Sequence, residues 1–379
     1  MTARPRVYDP AMRALVIGGT GPTGPDVIDV LSRRSFDVTI LHRGLHEPDD
    51  VPLLNEVEHI HADPHFRDSL AAATGTREFD VVVAMYGRMV LNADVFAGRC
   101  ARFVSVGGNP SHRGHLNHRS SFPRGLQILA DEQSPTVSGQ QSSRDRFAAK
   151  VLEAETVVLA AHNSGAFSAT HLRYPMIYGS RAKLAFERWA VRRIIDGHRR
   201  LLVTDSGLSI YSRAAAVNAA HCIGLILDRG DVAAGQIYQC ADDRQYSLRQ
   251  WLELIAAELG AEVEIVSAPM ALARPVWHLL PTGPLASPHT LVSTAKIKRD
   301  LGYIDVVEPR DALRELVRFL AERPDRTDEA AGDVDAEFGV IAALDQLRMD
   351  LARRFDWEDT DEPVAHWHPY DHPSAPSAQ

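Results

Sequence analysis

The stretch RALVIGGTGPTG, residues 13–24, carries the strongest fold signal in the chain. Its first five residues form a short apolar run that predicts a buried strand. A glycine-rich turn follows at once, and then Pro25 opens a segment whose apolar residues recur at helical spacing, at Val27, Ile28 and Leu31. Proline is well suited to the first turn of a helix, where its missing N–H costs little. The stretch therefore predicts a strand, a tight turn and a helix.

The glycines of this turn recur at three-residue steps, at Gly18, Gly21 and Gly24. Residues without side chains let the backbone turn sharply, approach a pyrophosphate closely and pack the helix against the strand. The positive N-terminus of the helix then faces the phosphates. The turn predicts a dinucleotide-binding site, and the residues expected to contact the cofactor are Gly18, Thr20, Gly21, Pro22, Thr23 and Gly24.

Further apolar runs follow at regular intervals, and helical patterns lie between several of them. These runs predict strands at residues 37–41, 57–62, 79–84 and 102–106. Strands that alternate with helices indicate a parallel sheet covered on both faces. The expected fold class is therefore α/β, with a Rossmann-type doubly wound parallel sheet; a smaller lobe and a C-terminal tail are expected to follow it.

The second predicted strand ends in His42-Arg43. Folds of this kind commonly place an acidic residue there to bind the ribose hydroxyls of NAD, whereas a guanidinium can bind a 2′-phosphate through charge-assisted hydrogen bonds. His42 and Arg43 therefore favour NADP as the cofactor, with NAD as the alternative. In the alternative interpretation Arg43 is a solvated surface charge.

Composition and charge exclude several classes of protein. The 379 residues carry a formal net charge of −9, and 14 acidic residues against 4 arginines lie in residues 325–379, so the rest of the chain is nearly neutral. This distribution offers no basic stripe for nucleic acid. No apolar stretch approaches the roughly 20 residues that span a bilayer. Three widely spaced cysteines predict free, mostly buried thiols in a reducing compartment, and we expect a cytoplasmic protein.

Several motifs, in this order along the chain, resemble the extended short-chain dehydrogenase/reductase family, which includes the NAD-dependent epimerases and dehydratases. They are the glycine turn, Asp63-Pro64, Met85-Tyr86-Gly87, the segment LRYPMIYG at residues 172–179 and the segment KIKRDLGY at residues 296–303. The resemblance covers roughly residues 13–320. It implies that the cofactor is contacted by Asp63 at the adenine, and elsewhere by Pro64, Met85, Tyr86, Gly87, Lys150, Pro175 and Ile177.

The chain departs from the family pattern at the catalytic positions. Family enzymes use a tyrosine and a lysine four residues later on one helix, together with a serine on the fifth strand. Lys150 lies 23 residues before Arg173, where the family lysine is expected, but Arg146 stands in place of the tyrosine. The serine position falls on Gly107 or Gly108. Arginine can polarise an oxygen, but it cannot plausibly supply the proton.

Three functions remain open at this point. The first is an NAD(P)-dependent oxidoreductase on a small carbonyl or alcohol, with Lys150 and Arg146 at the site and Tyr86 or Tyr178 as replacement groups. The second is an NAD(P)-dependent epimerase or dehydratase, and the third is a catalytically degenerate nucleotide-binding or regulatory protein. The histidines of the loop SHRGHLNHRS, at His112, His115 and His118, are further candidates for proton transfer; the alternative is a polar surface loop.

Other clusters favour ordinary structural roles. His59, His61 and His65 invite comparison with a metal site, but the segment includes Asp63 and lacks a cysteine or carboxylate cluster, so no metal is predicted. An arginine-rich region between residues 179 and 213 fits either an anionic substrate or a solvated helix face. Tyr211 occupies the place of a phosphate-binding arginine of the nucleotide-sugar enzymes, which disfavours a nucleotide-sugar substrate.

The predicted domain organisation has three parts. Residues 1–179 form the dinucleotide-binding region, and residues 180–325 form the capping lobe, with 234–241 rejoining the first region. Residues 326–379 comprise an acidic linker, an amphipathic helix and a docking tail. The helix shows apolar residues at three- and four-residue steps from Phe338 to Phe355. It predicts packing on the body of the protein or on a second subunit, which would make a homodimer.

Overall fold

The computed structural model describes residues 12–44, 51–85, 87–139, 142–182, 186–281, 289–323 and 334–355. The strands in these ranges are β1 (Arg13–Ile17), β2 (Asp37–His42), β3 (Glu58–His61), β4 (Phe79–Ala84), β5 (Cys100–Gly108), β6 (Ser168–Tyr174), β7 (Met176–Tyr178), β8 (Arg200–Thr204), β9 (Arg213–Ala215), β10 (Gln236–Gln239) and β11 (Glu264–Ala268).

The helices in the same ranges alternate with these strands. They are α1 (Gly24–Ser32), α2 (Arg67–Thr74), α3 (Met89–Phe96), α4 (Ser143–Asn163), α5 (Phe186–Ile195), α6 (Ala216–Asp228), α7 (Gly230–Ala233), α8 (Leu248–Glu258), α9 (Met270–Ala273), α10 (Ala295–Leu301), α11 (Pro309–Ala321) and α12 (Val334–Phe355).

Seven strands form one parallel sheet in the order β10-β6-β5-β4-β1-β2-β3. The order reverses between β1 and β4, so the carboxyl ends of these two strands flank the crevice in which such sheets bind ligands. The predicted doubly wound α/β fold is confirmed. β10 pairs with β6 at the sheet edge, although residues 175–235 separate them in sequence.

Both faces of this sheet are buried, which explains why its strands are continuously apolar. Along β1, Ala14 and Val16 belong to a core that includes residues of α1 and α6, whereas Leu15 and Ile17 pack with residues of α2, α3 and α4. Side chains alternate between the two faces of a strand, so a strand covered by helices on both sides needs apolar residues throughout.

A second core lies in a smaller lobe, around helices α5, α8 and α11. Two small parallel pairs, β8 with β11 and β7 with β9, belong to this part of the molecule. The first half of α12 covers a further cluster through Phe338, Ile341 and Leu344. Within the described ranges, no helix combines the length and apolar character that crossing a membrane requires. The three cysteines are free and buried, as predicted.

Candidate cofactor and active site

The glycine turn after β1 is closed by its own backbone. The Gly18 amide donates a hydrogen bond to the Leu41 carbonyl at 2.9 Å, and the Gly21 amide donates to the Gly18 carbonyl, also at 2.9 Å. Gly18 has a φ of 95°, a conformation that favours glycine. A Cβ atom at Gly24 would lie 1.9 Å from the carbonyl oxygen of Gly19. The sequence therefore needs glycine at both ends of this turn.

The N-terminus of α1 is not capped by the side chain that precedes it. The Thr23 side chain makes no cap hydrogen bond, and its hydroxyl contacts the sulfur of Met85 at 3.4 Å instead. Unpaired amides of a first helical turn are suited to bind an anion. Pro22 is exposed, and Thr20 and Gly21 are half-buried, so the rim of the turn is accessible from solvent.

Arg43 lies just beyond β2, with an exposed side chain. The pKa of the Asp63 carboxyl is lowered, first by the His65 backbone amide that donates to it and, among weaker causes, by the positive charge of Arg43. Asp63 follows β3, and its Oδ1 atom accepts hydrogen bonds from the amide and the Nδ1 atom of His65 at 3.0 and 2.9 Å. The two residues predicted to bind the adenosine end of the cofactor therefore lie at one edge of the sheet.

The loops after β3 and β4 lie against each other beside the glycine turn. The Met85 amide donates to the Ile17 carbonyl at 3.0 Å. Gly87 has a φ of 90°, and a Cβ atom there would lie 2.7 Å from the Cβ atom of Pro64. The structure thus brings together Pro64, Met85 and Gly87. Tyr86 lies outside the described residues.

The catalytic candidates of α4 share one side of the helix. Arg146 and Lys150 are both exposed, as is Phe147, whereas Ala148 and Glu155 face the core. The i, i+4 spacing places Arg146 and Lys150 on the same face. Their exposure leaves both cationic side chains accessible from solvent.

Tyr178 packs in the second core, with residues of α5, α8 and α11. It is 2% exposed, its hydroxyl donates to Asp242 Oδ2 at 2.7 Å, and its ring packs edge-on against Trp251. Burial and the Asp242 carboxylate raise the pKa of this phenol. Pro175 and Ile177, at the end of β6 and in β7, are half-buried. Ile177 packs against the core on one face of the main sheet.

Ser105 of the fifth strand, two residues before the position where the family serine is expected, belongs to a buried polar cluster. Ser105 Oγ and His171 Nδ1 are 2.7 Å apart, and both residues are fully buried. A Cβ atom at Gly107 would lie 2.5 Å from His171 Nε2. Ser105 therefore faces the interior of the sheet, and the histidine fills the space that a side chain at residue 107 would need.

A charged network continues from this cluster and was not predicted from the sequence. Arg173 and Glu155 form a buried pair through two hydrogen bonds of 2.7 and 2.8 Å. His112 Nε2 lies 2.6 Å from Gln239 Oε1 on β10 and 3.2 Å from an Arg173 nitrogen. His112 is 1% exposed, so the surface-loop interpretation is wrong for this residue. Burial, together with Arg173, lowers the pKa of His112 to about 4.

The loop that follows β5 holds an unusual concentration of unsatisfied polar atoms. Four of its buried side-chain atoms have no hydrogen-bond partner among the described residues: Asn109 Oδ1, Ser111 Oγ, His112 Nδ1 and His115 Nδ1. Buried polar atoms without a partner cost free energy, and each calls for an explanation. Among these four residues, the sequence analysis identified only His112 and His115 as candidates for the site. Asn109 and Ser111 belong to no motif.

The arginine-rich region is largely structural in its described part. Arg193 is buried and pairs with Glu337 of α12, and Arg200 pairs with Glu264 and Asp345. Arg213 is also buried, with its guanidinium over the Trp251 ring at 5.1 Å. The solvated-face interpretation is therefore wrong for Arg193, which joins two helices.

Solved structures with the same fold extend over most of this chain. A dTDP-glucose 4,6-dehydratase from Bacillus anthracis, in complex with NAD, has a TM-score of 0.64 and 15% identity over 83% of this chain and 98% of its own. A UDP-glucose 4-epimerase from Thermotoga maritima, solved with UDP-glucose, has a TM-score of 0.66 and 14% identity over 82% and 99%. An epimerase from Methanothermobacter thermautotrophicus has a TM-score of 0.67 and 15% identity over 84% and 95%.

The chain matches no family model and no curated protein sequence. At 14–15% identity the structural likeness establishes the fold alone. That fold is the one implied by the resemblance to extended short-chain dehydrogenases/reductases, which is therefore confirmed at the level of the fold. It hosts more than one chemistry, so the activity must be argued from the site.

Proposed function

We propose that the protein is a nicotinamide-dinucleotide-dependent oxidoreductase of the extended short-chain dehydrogenase/reductase type, acting on a small carbonyl or alcohol. The observation that carries this proposal is the turn between β1 and α1. It combines a glycine at positive φ, a Gly24 that admits no side chain and a first helical turn that Thr23 does not cap. These features suit a diphosphate, whose charge the helix N-terminus stabilises.

The rest of the cofactor would extend along the carboxyl ends of the strands. Asp63 would bind the adenine and Arg43 the 2′-phosphate, whereas Lys150 would orient the nicotinamide ribose. Pro64, Met85 and Gly87 support the middle of this path, because they pack together beside the turn. A bound nicotinamide supplies or accepts the hydride.

The preference for NADP over NAD rests on Arg43 and is tested by titration. Wild-type protein, Arg43→Ala and the control Arg33→Ala are titrated with NADPH and NADH by calorimetry. Arg33 is an exposed arginine at the far end of α1, paired with Asp29. Loss of the guanidinium should weaken NADPH binding by about 1.5–3 kcal/mol, the range for a hydrogen bond to a charged group, and leave NADH binding unchanged. Equal affinities of the wild type for the two cofactors would contradict the preference.

Proton transfer needs a group other than the missing tyrosine. Arg146 can hold a substrate oxygen but keeps its proton. We propose that the buried polar atoms of residues 109–115 face the substrate. His112 Nε2 donates to Gln239 Oε1, so Nδ1 of the neutral imidazole carries a lone pair that can accept the proton of a substrate hydroxyl. Tyr178 is assigned a packing role in this proposal, because its hydroxyl is bound to Asp242 within the lobe core.

An epimerase or dehydratase is the second candidate. It is supported by the names of the structures with the same fold, which include both activities. In that case NAD(P) would be reduced and reoxidised within one turnover, so no net change in the cofactor would accompany the reaction. This difference separates the two candidates experimentally.

A further inference from the structure

Three histidines converge where β2 and β3 end. His42 closes β2, and the parallel register sets it beside His61 of β3, whereas His59 pairs with Ile40. One ring nitrogen from each of His42, His59 and His61 lies within 4.8 Å of the others. The trio that the sequence suggested contained His65 instead. That residue is bound to Asp63, and the neighbouring strand supplies the third imidazole.

The hydrogen bonds of His59 leave one of its ring nitrogens directed toward His42. His59 Nε2 lies 2.6 Å from the Leu54 carbonyl, to which it can only donate, so His59 Nδ1 carries a lone pair. That lone pair faces His42 Nε2 at 3.0 Å. A histidine that binds a metal through one nitrogen usually donates its other N–H to a carbonyl or carboxylate, as His59 does.

The three rings are nearly perpendicular to one another. The planes of His42 and His59 meet at 81°, those of His42 and His61 at 87°, and those of His59 and His61 at 87°. His42 is buried, His59 is half-buried and His61 is exposed. The cluster is thus anchored in the sheet on one side and open to solvent on the other.

We propose that His42, His59 and His61 form a binding site for one divalent transition-metal ion of the zinc class, with water as the fourth ligand. Imidazole nitrogens prefer such ions, whereas Mg²⁺ and Ca²⁺ require oxygen ligands. Tetrahedral zinc with bonds of about 2.0–2.1 Å holds its ligand atoms about 3.4 Å apart. The nitrogen separations in the cluster, from 3.0 Å to no more than 4.8 Å, span that value.

Metal binding requires a change of tautomer at His42. Without metal, His42 Nε2 donates to His59 Nδ1, since the Gly44 amide donates to His42 Nδ1 at 3.2 Å. When the ion binds between the two rings, the proton of His42 moves from Nε2 to Nδ1, so the imidazole stays neutral and Nε2 becomes a ligand atom. The cost is the Gly44 contact, which at 3.2 Å is longer than the two ring contacts of His59 at 3.0 and 2.6 Å.

The test uses the full-length chain with His366, His368 and His372 changed to alanine, because imidazoles elsewhere in the chain can also bind such an ion. Zn²⁺ is titrated by calorimetry, and Co²⁺ serves as a probe whose visible spectrum reports tetrahedral coordination. We expect one ion per chain. His59→Ala and His61→Ala should each weaken binding by at least about 100-fold, the upper range for losing only an outer-shell partner.

His65→Ala is the matched control, since it removes a neighbouring histidine that lies outside the cluster. It should bind metal as the parent does. Circular dichroism confirms that each variant is folded. If His59→Ala does not fold, His61→Ala still decides the test, because His61 is exposed. Absence of stoichiometric binding in the parent, or unchanged affinity in His61→Ala, would overturn the proposal.

Discussion

Gly24 shows how one missing side chain positions the whole first turn of α1. A Cβ atom there would lie 1.9 Å from the Gly19 oxygen and 2.3 Å from the Gly19 carbonyl carbon. Gly24→Ala must therefore push α1 away from the turn. We expect a loss of stability of about 1–3 kcal/mol, as for other overpacked positions, and at least tenfold weaker NADPH binding, measured by urea unfolding and calorimetry.

Gly339→Ala is the control for this substitution. Gly339 lies inside α12, and a Cβ atom there meets nothing within 4 Å. Alanine should stabilise the helix by about 0.5–1 kcal/mol without any effect on the cofactor. If Gly24→Ala binds NADPH as the wild type does, the turn is not the phosphate site.

His112 provides a pH-dependent prediction at the same scale. Its pKa is about 4 in the folded protein, against an ordinary value of 6.5. As the pH falls below about 6.5, His112 gains a proton in the unfolded chain, whereas in the folded protein it stays neutral down to about pH 4. The free energy of unfolding of the wild type should therefore fall, relative to that of His112→Gln, by about 1.4 kcal/mol for each unit by which the pH decreases in this window. Urea unfolding at pH 7, 6 and 5 measures the difference.

If the free energies of unfolding of the wild type and of His112→Gln depend on pH in the same way, His112 is not buried as the structure places it. His171→Gln offers a comparison, because burial also lowers the pKa of His171 to about 4. The substitution should reduce the pH dependence of the free energy of unfolding by a similar amount, although His171 lies outside the proposed substrate site.

The candidate site residues differ in how far the sequence reveals them, for a physical reason. The glycine turn and Arg43 are predicted from their local setting at strand ends, and Asp63 from the family resemblance; their roles at the cofactor stay predictions. His112 is different: its burial depends on Gln239, which lies 127 residues away. A loop residue whose partner is so distant in sequence has no local pattern that reveals it.

At the scale of elements, α12 is held to the lobe by a buried ion pair. Arg193 and Glu337 are 3.0 Å apart and are 2% and 1% exposed. Removing one partner of such a pair leaves a buried charge uncompensated. Glu337→Ala should therefore cost about 3–5 kcal/mol of unfolding free energy, measured by urea denaturation. Asp335→Ala, an exposed acid in the same turn, should change it by no more than about 0.5 kcal/mol.

The double variant Arg193→Met/Glu337→Leu distinguishes charge from packing. An apolar pair of similar volume should recover most of the loss. If the double variant is as unstable as Glu337→Ala, the cause is packing between α5 and α12 and not the isolated charge.

The amphipathic pattern predicted the existence of α12 but not the extent of its contact. Phe338 and Ile341 pack against the lobe, whereas Leu351 and Phe355 are exposed. Periodicity identifies an apolar stripe, and it says nothing about the length of the surface that receives it. The strands of the main sheet were predicted more completely, because burial on both faces makes each one a continuous apolar run. Whether the exposed half joins a second subunit stays a prediction.

At the scale of the whole molecule, cofactor binding should stabilise the entire fold. A ligand that binds only the folded state adds stability by mass action, about 2.7 kcal/mol at 100 times its dissociation constant. The proposed cofactor path contacts the loops after four strands of one sheet, which are spread along the chain from Gly18 to Gly87, and Lys150 of α4. The carboxyl ends of parallel strands bring these loops to one edge. The fold thereby makes a single site from segments that no local pattern connects.

The proposed chemistry is decided by net oxidation of NADPH in the presence of a panel of small carbonyl compounds. A reductase consumes NADPH in proportion to product, whereas an epimerase or dehydratase transforms its substrate with no net change in cofactor, and a degenerate binder does neither. If the first holds, Lys150→Ala should lower kcat by about 100-fold, since a misplaced ribose disturbs the alignment on which hydride transfer depends. Glu153→Ala, an exposed residue of the same helix, should retain full activity. Unchanged turnover in Lys150→Ala would remove this lysine from the site, and NADPH binding without turnover of any substrate would favour the non-catalytic alternative.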